Sequence, residues 1–316
     1  MTQETSSLNR PGAPFYTRLG MSGVQWRELR KFVTALLYMA PSLILFMTFV
    51  FIPLVKSIQL SMFLTDPIGR PAAFVWFLQY ERLFSQPTFL NSLLRSAQFV
   101  LFTVPTTLVV ALILATLGNL RLKKIAIYRV IFSITIAVSG ATASLMFLWL
   151  YHPTLGTLNY FLELLGLPGV KWLISEDTAL MSVALVSVWL QIGLNTVTLL
   201  AAMQGIPEEL YESAMIDGAS FWDKFFYITL PFLSSTFFFL LVVDMLASFQ
   251  TFTPINVLTH GGPMDSTNLL VYSIYREFYI NGKYGFAAAQ SIMLFLVMVI
   301  LTIFQFVFVE RKVFYE

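Results

Sequence analysis

The sequence predicts an all-α, polytopic membrane protein: six transmembrane helices and one long polar loop that folds as short helices of its own. Three observations carry this. Hydrophobic residues make up 57% of the 316 residues and charged residues only 11%, against about 25% charged in soluble domains, so the chain lacks the polar surface to sit in water. Six apolar windows recur at roughly 33–55, 96–118, 128–150, 180–203, 232–250 and 287–309, each near the length of about 20 residues that crosses a bilayer. Between the fourth and fifth windows lies a polar stretch, 204–231, that holds Glu208, Glu209, Glu212, Asp217 and Asp223.

Each window is expected to be helical, because lipid offers no partner to a free backbone group. Charge is nearly absent inside them. The first window is too long for the apolar part of a cleaved leader, and residues 1–32 ahead of it form a polar N-terminal segment without a small-residue cleavage site. Orientation follows from the Lys and Arg count. With both ends on the cytoplasmic side, twelve fall inside, among them Arg10, Arg18, Arg27, Arg30, Lys31, Arg121, Lys123, Lys124 and Arg129, and seven fall outside. Alternation of the spans then puts the acidic 204–231 loop in the cytoplasm. Trp76, Trp149, Tyr151 and Trp172 stand where helix ends meet headgroups. The chain has no Cys, which excludes disulfides and thiolate metal sites. Its two histidines, His152 and His260, are far apart in sequence and read as loop or interface residues.

The polar loop can be parsed residue by residue. Pro207 suits the first position of a helix, and Glu208 and Glu209 complement its positive end. Leu210, Ala214 and Met215 form a short apolar edge. Gly218 can take a positive φ and end that helix. Ser220 with Asp223 predicts a capping box that opens a second short helix, with Phe221, Phe225 and Ile228 on one face. Pro231 begins the next span. A plain amphipathic loop on the membrane accounts for the aromatics but not for the acidic first turn, which anionic headgroups repel.

The spacing Glu212-Ser213-Ala214, three residues, Gly218, nine residues, Ile228-Thr229-Leu230-Pro231 resembles the coupling motif of importer-type ABC permeases, with Ser213 where the pattern has Ala. Trp189, Gly193, Asn195 and Gln204-Gly205-Ile206-Pro207 resemble the segment leading into that motif in carbohydrate permeases. Thr259-His260-Gly261-Gly262-Pro263 with Thr267 resembles their external turn. The tail, from Ala289-Gln290-Ser291 through Val309-Glu310-Arg311-Lys312-Val313, is similar to the first permease of glycerol-3-phosphate-type importers. The likeness covers roughly 33–316 and places the chain beside the maltose and glycerol-3-phosphate permease group. It implies a homologous second permease, two copies of an ATP-binding subunit, and an external solute-binding protein. It assigns contact with the ATPase to the loop, at Glu212, Ala214, Asp217, Gly218, Ala219 and Phe221. The chain has no Gly-x-x-x-x-Gly-Lys-Ser/Thr loop, so it carries no cofactor of its own, and ATP and Mg belong to the partner.

Polar residues inside spans face a cavity or another helix. Gln191 and Asn195 are i,i+4 neighbours on the fourth span, and Asp244 and Ser248 are i,i+4 neighbours on the fifth, with Thr251 near the same face. These five are candidates for a solute pathway. Hydrogen bonding between helices is the competing assignment, also for Gln290 and Ser291. Asp244 is the only ionisable residue well inside a span. A phosphate site calls for Arg or Lys, which favours a neutral polyhydroxy solute such as a sugar or glycosyl-glycerol over a glycerol phosphate or glycerophosphodiester. A secondary transporter typically shows repeats and broken helices, and no repeat is evident; the spans read as unbroken apart from Pro41, Pro53 and Pro105. An intramembrane enzyme needs paired acids, a Ser–His pair or a metal cluster, which a single Asp does not supply.

Overall fold

The computed structural model describes residues 23–120 and 122–313. The basic residues Arg10, Arg18 and Arg121 and the extreme C-terminus lie outside the described residues. The chain divides into two units, one ending at Gln59 and one beginning at Leu60.

The first unit is an apolar rod. Helix α1 (Gly23–Phe46) passes through a π-turn at Met47–Phe51 into α2 (Ile52–Leu60). The helix therefore starts ten residues ahead of the predicted span. Pro53 explains the π-turn. Proline lacks an N–H and its ring crowds the carbonyl four residues back, so the preceding turn widens and Ile52 N–H reaches Met47 O instead.

The second unit opens with a hairpin that the periodicity did not reveal, β1 (Phe63–Thr65) antiparallel to β2 (Pro71–Phe74). Asp66 closes its loop, accepting from Ile68 N at 3.0 Å and Arg70 N at 2.7 Å. Helix α3 (Leu78–Ser85) leads into α4 (Pro87–Gly118), the second span. The third predicted span, 128–150, is not one continuous helix. Helix α5 (Ile125–Ser133) tightens to a 3-10 turn at Ile134–Ala137, and α6 (Gly140–Leu150) leaves it at 105°. No proline marks the break. It arises because Val138 and Ser139 are extended and the Ser139 hydroxyl caps α6, accepting from Thr142 N at 3.1 Å.

Helix α7 (Thr157–Leu164) follows, then α8 (Glu176–Gly205), the fourth span. The polar loop holds α9 (Glu208–Ile216), α10 (Phe221–Lys224) and α11 (Leu230–Phe232). The fifth span is α12 (Ser234–Phe249) extended by α13 (Thr253–Leu258). Helix α14 (Leu270–Tyr275) and α15 (Tyr284–Phe304) complete the unit, with a π-turn at Gln305–Val309. Among the described residues, five helices are long and apolar enough to cross a membrane, and the bent pair supplies the sixth.

Helices α4 and α8 are the central packed pair. Helix α4 presents a buried stripe of small residues: Ser92, Ser96, Thr103, Thr107, Ala111, Ala115 and Gly118. Small side chains let membrane helices approach closely. The first hydroxyls of the stripe bond back to their own helix, Ser92 to Phe89 O at 2.8 Å, Ser96 to Ser92 O at 2.8 Å, and Thr103 to Phe99 O. Ala111 and Ala115 meet Leu199, Leu200 and Met203 of α8 and Leu233 ahead of α12. On another side of α8, Gly193 lies under the broken span. A Cβ there would collide with Thr135 Oγ1 and stand 2.8 Å from Phe132 O.

Both histidines occupy turns, in agreement with the sequence. His152 Nδ1 accepts from Leu155 N at 3.1 Å, and His260 has φ +49°. The Gly-Gly-Pro turn is internally tied, with Thr259 and Thr267 hydroxyls 2.7 Å apart and Thr267 Oγ1 donating to Gly262 O at 2.8 Å.

Replacing Gly193 with Val is expected to lower stability by about 1–3 kcal/mol through overpacking. Gly205→Ala, which meets open space, is expected to be silent. Thermal unfolding of the purified protein reads both, and equal midpoints for the two variants would contradict the packing described.

Candidate functional site

The polar loop folds as an elbow between α8 and α12. Helix α9 ends in a Schellman arrangement. Gly218 takes φ +79°, its N–H reaches Met215 O at 3.1 Å, and Ala219 N–H reaches Ala214 O at 2.9 Å. Nothing lies near the position a Gly218 side chain would take, so the requirement for glycine there is conformational. The second arm opens with the capping box. Ser220 N and Oγ donate to Asp223 Oδ2 at 2.9 and 2.6 Å, and Asp223 N donates to Ser220 Oγ at 3.3 Å. The Ser220 hydroxyl and N–H hold the Asp223 carboxyl below its ordinary pKa. The second arm is the expected short helix, but α10 spans one turn and gives way to a π-turn at Phe225–Thr229. The cause is again a proline, since Pro231 follows the Leu230 N–H that reaches Phe225 O. Phe221 stacks on Phe225 and Trp222 on Phe226, with centroids 6.4 and 6.0 Å apart.

The two arms are joined by Tyr211 Oη and Thr229 Oγ1, 2.9 Å apart. The spans beside the elbow are tied to one another. Arg129, at the start of the broken span, donates from Nε to Gly118 O at 3.0 Å. Its Nη atoms stand 3.3 Å from the Gln204 side-chain oxygen, with the amide oriented to accept. Of the residues assigned to ATPase contact, Glu212, Asp217, Gly218 and Phe221 are exposed, and Ala214 and Ala219 are half-buried beside them. All six sit on the elbow.

The five pathway candidates divide. Asn195 and Asp244 are brought together and buried, 1% and 3% exposed, with Asn195 Nδ2 donating to Asp244 Oδ1 at 3.0 Å. The same Nδ2 donates to Gln191 O at 3.1 Å. Ser248 is fully buried one turn along α12. Gln191 and Thr251 are half-buried, and Thr251 Oγ1 donates to Ala247 O at 3.2 Å. Among the described residues, four oxygens of this group, Gln191 Oε1, Asn195 Oδ1, Asp244 Oδ2 and Ser248 Oγ, have no hydrogen-bond partner, and the same holds for Thr107 Oγ1 on α4 and Gln290 Oε1 on α15. A buried polar atom without a partner is costly, about 1–3 kcal/mol each, and calls for an explanation. Thr107 escaped sequence reasoning. Its signal was the i,i+4 run of Thr103, Thr107, Ala111 and Ala115 along one face of an apolar helix.

The elbow, the Gly-Gly-Pro turn and the helical order match one known family. The chain belongs to the binding-protein-dependent transport system inner membrane component family, whose profile covers residues 67–314. It is a permease component of a multi-pass, inner-membrane ABC importer. The sn-glycerol-3-phosphate transport system permease protein UgpA of Pectobacterium atrosepticum is 37% identical over 279 residues, 87% of this chain and 94% of that protein. UgpA of Agrobacterium fabrum is 36% identical over 282 residues, covering 88% and 95%. In fold the chain is similar to a solved bacterial ABC transporter involved in import of the acidic polysaccharide alginate, with a TM-score of 0.76, 23% identity, and coverage of 90% of this chain and 98% of that one. The alginate transporter has also been solved in complex with an alginate pentasaccharide-bound periplasmic protein, with a TM-score of 0.73, 21% identity, and coverage of 89% of this chain and 95% of that one. Family membership removes the secondary transporter and the intramembrane enzyme. The unbroken-span argument against the former fails on the bend at Val138 and Ser139, but the conclusion stands on the family.

Proposed function

We propose that this permease forms one half of the translocation path for a polyhydroxy solute, a sugar, disaccharide or glycosyl-glycerol, and that its elbow receives the motion of a separate ATPase. The observation that carries the coupling role is that the elbow is stiff inside and open outside. The Schellman turn, the capping box and the Tyr211–Thr229 bond hold its two arms, while Glu212, Asp217 and Phe221 face outward. A stiff knob continuous with α8 and α12 passes a push to both. In this arrangement the elbow and both termini lie in the cytoplasm. Two ATP-binding subunits hold ATP and Mg, a homologous permease completes the path, and an external binding protein delivers the solute.

The solute class rests on Asp244, Asn195 and Ser248. A carboxylate and an amide in a dry layer bind hydroxyls well, and Asp244 is the one ionisable group in the middle of a described span. In the closed bundle these groups clasp α8 to α12. Parting of the helices would turn their four unpartnered oxygens toward a passing solute. A second proposal, a glycerol-3-phosphate or glycerophosphodiester importer, is favoured by the names of the UgpA relatives, and requires its phosphate-binding cation on the partner permease.

Gly218→Val forces a β-branched residue into a left-handed turn. The assembled importer is expected to form but to lose transport and solute-stimulated ATP hydrolysis together, with Gly218→Asn milder. Full transport by the Val variant would remove the elbow from the mechanism. Asp244→Ala is expected to cut transport roughly ten- to a hundred-fold, the worth of one hydrogen bond to a charged group, with unchanged solute affinity of the external protein. Native transport by a normally assembled Ala variant would take Asp244 off the path.

A further inference from the structure

A cavity of about 750 Å³ opens between the elbow and the ends of α4, α5 and α8. Its size falls in the range of small-molecule sites, and its wall is charged unevenly. Arg129 lines it from α5 and Lys224 from α10, while Glu208 is its only acidic lining residue among the described residues. Two cations thus face one carboxylate. Arg129 is fixed in place by Gly118 O and the Gln204 amide. Lys224 is half-buried and forms no salt bridge among the described residues. A lysine on a cavity wall without a paired carboxylate is open to a bound anion. Asn119 and Tyr211 add neutral hydrogen-bonding groups, and Phe221 and Phe225 add an apolar wall.

We propose that this cavity binds a phosphate group, held between Arg129 and Lys224. The guanidinium keeps N–H donors beyond those directed at Gly118 O and the Gln204 amide, and the lysine adds a second positive charge from the elbow. A neutral sugar has no use for two cations, and a metal ion is repelled by them. The apolar wall suits the carbon chain attached to a phosphate ester. Basic pockets between membrane helices are also where anionic headgroups lodge. The cavity is bounded by the elbow on one side and by three spans on the other. Its occupant touches the moving part and the frame together. The same phosphate chemistry has two sources, a membrane phospholipid or a soluble phosphate.

The test uses the assembled importer in nanodiscs of phosphatidylcholine alone, of phosphatidylcholine with phosphatidylglycerol, and of phosphatidylcholine with added inorganic phosphate. Thermal stability and lipid retention by native mass spectrometry are the readouts. Neither depends on ATP hydrolysis, so a failure here is distinct from a failure of the coupling role. The wild type is expected to be stabilised by phosphatidylglycerol, by phosphate, or by both, and Lys224→Gln is expected to weaken that binding about tenfold or more. Arg129→Lys, which keeps the charge, is expected to weaken it less. Retention of phosphatidylglycerol identifies a lipid occupant, and a response to phosphate in pure phosphatidylcholine identifies a soluble one. Stabilisation no greater than chloride gives at equal ionic strength, or a Lys224→Gln protein that responds as the wild type does, would overturn the proposal.

Discussion

The close approach of α4 and α8 is the constraint on which the rest of the second unit depends. In lipid, apolar side chains gain little by meeting one another, so helices associate through tight packing and hydrogen bonds. Ala111, Ala115 and Gly118 at the end of the stripe supply that packing against Leu199, Leu200 and Met203. With α8 seated on α4, Gly193 can admit the broken span on another side. The Gly118 carbonyl comes within reach of Arg129, and the last turn of α8 delivers Gln204 and Ile206 to the base of the elbow. Large residues along the stripe would push α8 outward and remove the support of each of these contacts.

The same seating sets the buried polar layer. Thr107 stands eleven residues from the end of α4, Asn195 ten from the end of α8, and Asp244 ten from the start of α12. At about 1.5 Å per residue these three lie at nearly one depth. Only the Asn195–Asp244 bond is made between them. The unpartnered oxygens around it mark a layer where, among the described residues, hydrogen-bonding capacity exceeds what the closed packing uses. Such a layer suits a helix pair that opens, because each group then gains a partner in water or solute.

What was legible in the sequence was local. Gly218, Ser220 with Asp223, and Pro207 specify caps within a few residues of themselves, and the elbow formed as they dictate. The apolar windows located the long apolar helices, because a bilayer-spanning helix demands a long apolar run. The bend at Ser139 was missed because a serine cap inside an apolar run looks like any other small residue. The π-turn in the second arm was missed because the effect of Pro231 reaches back into the preceding turn. The i,i+4 spacing put Asn195 on one face and Asp244 on another helix, but the bond between them spans 49 positions. The cavity between Arg129 and Lys224 is likewise a product of tertiary packing, with residues from four separate segments.

The central claim is that the elbow is the surface on which the ATPase acts. The chain has no cysteine, so a Ser213→Cys substitution introduces a unique thiol. Ser213 is exposed and lies beside Glu212 on the first arm. Cross-linking that thiol to the ATP-binding subunit in the assembled importer, with a reducible bifunctional reagent, tests the claim most directly. The account predicts one cross-linked product, loss of transport on cross-linking, and recovery on reduction. A Ser213→Cys protein that labels from outside the cell, or that cross-links to no ATP-binding subunit while transport proceeds, would contradict it.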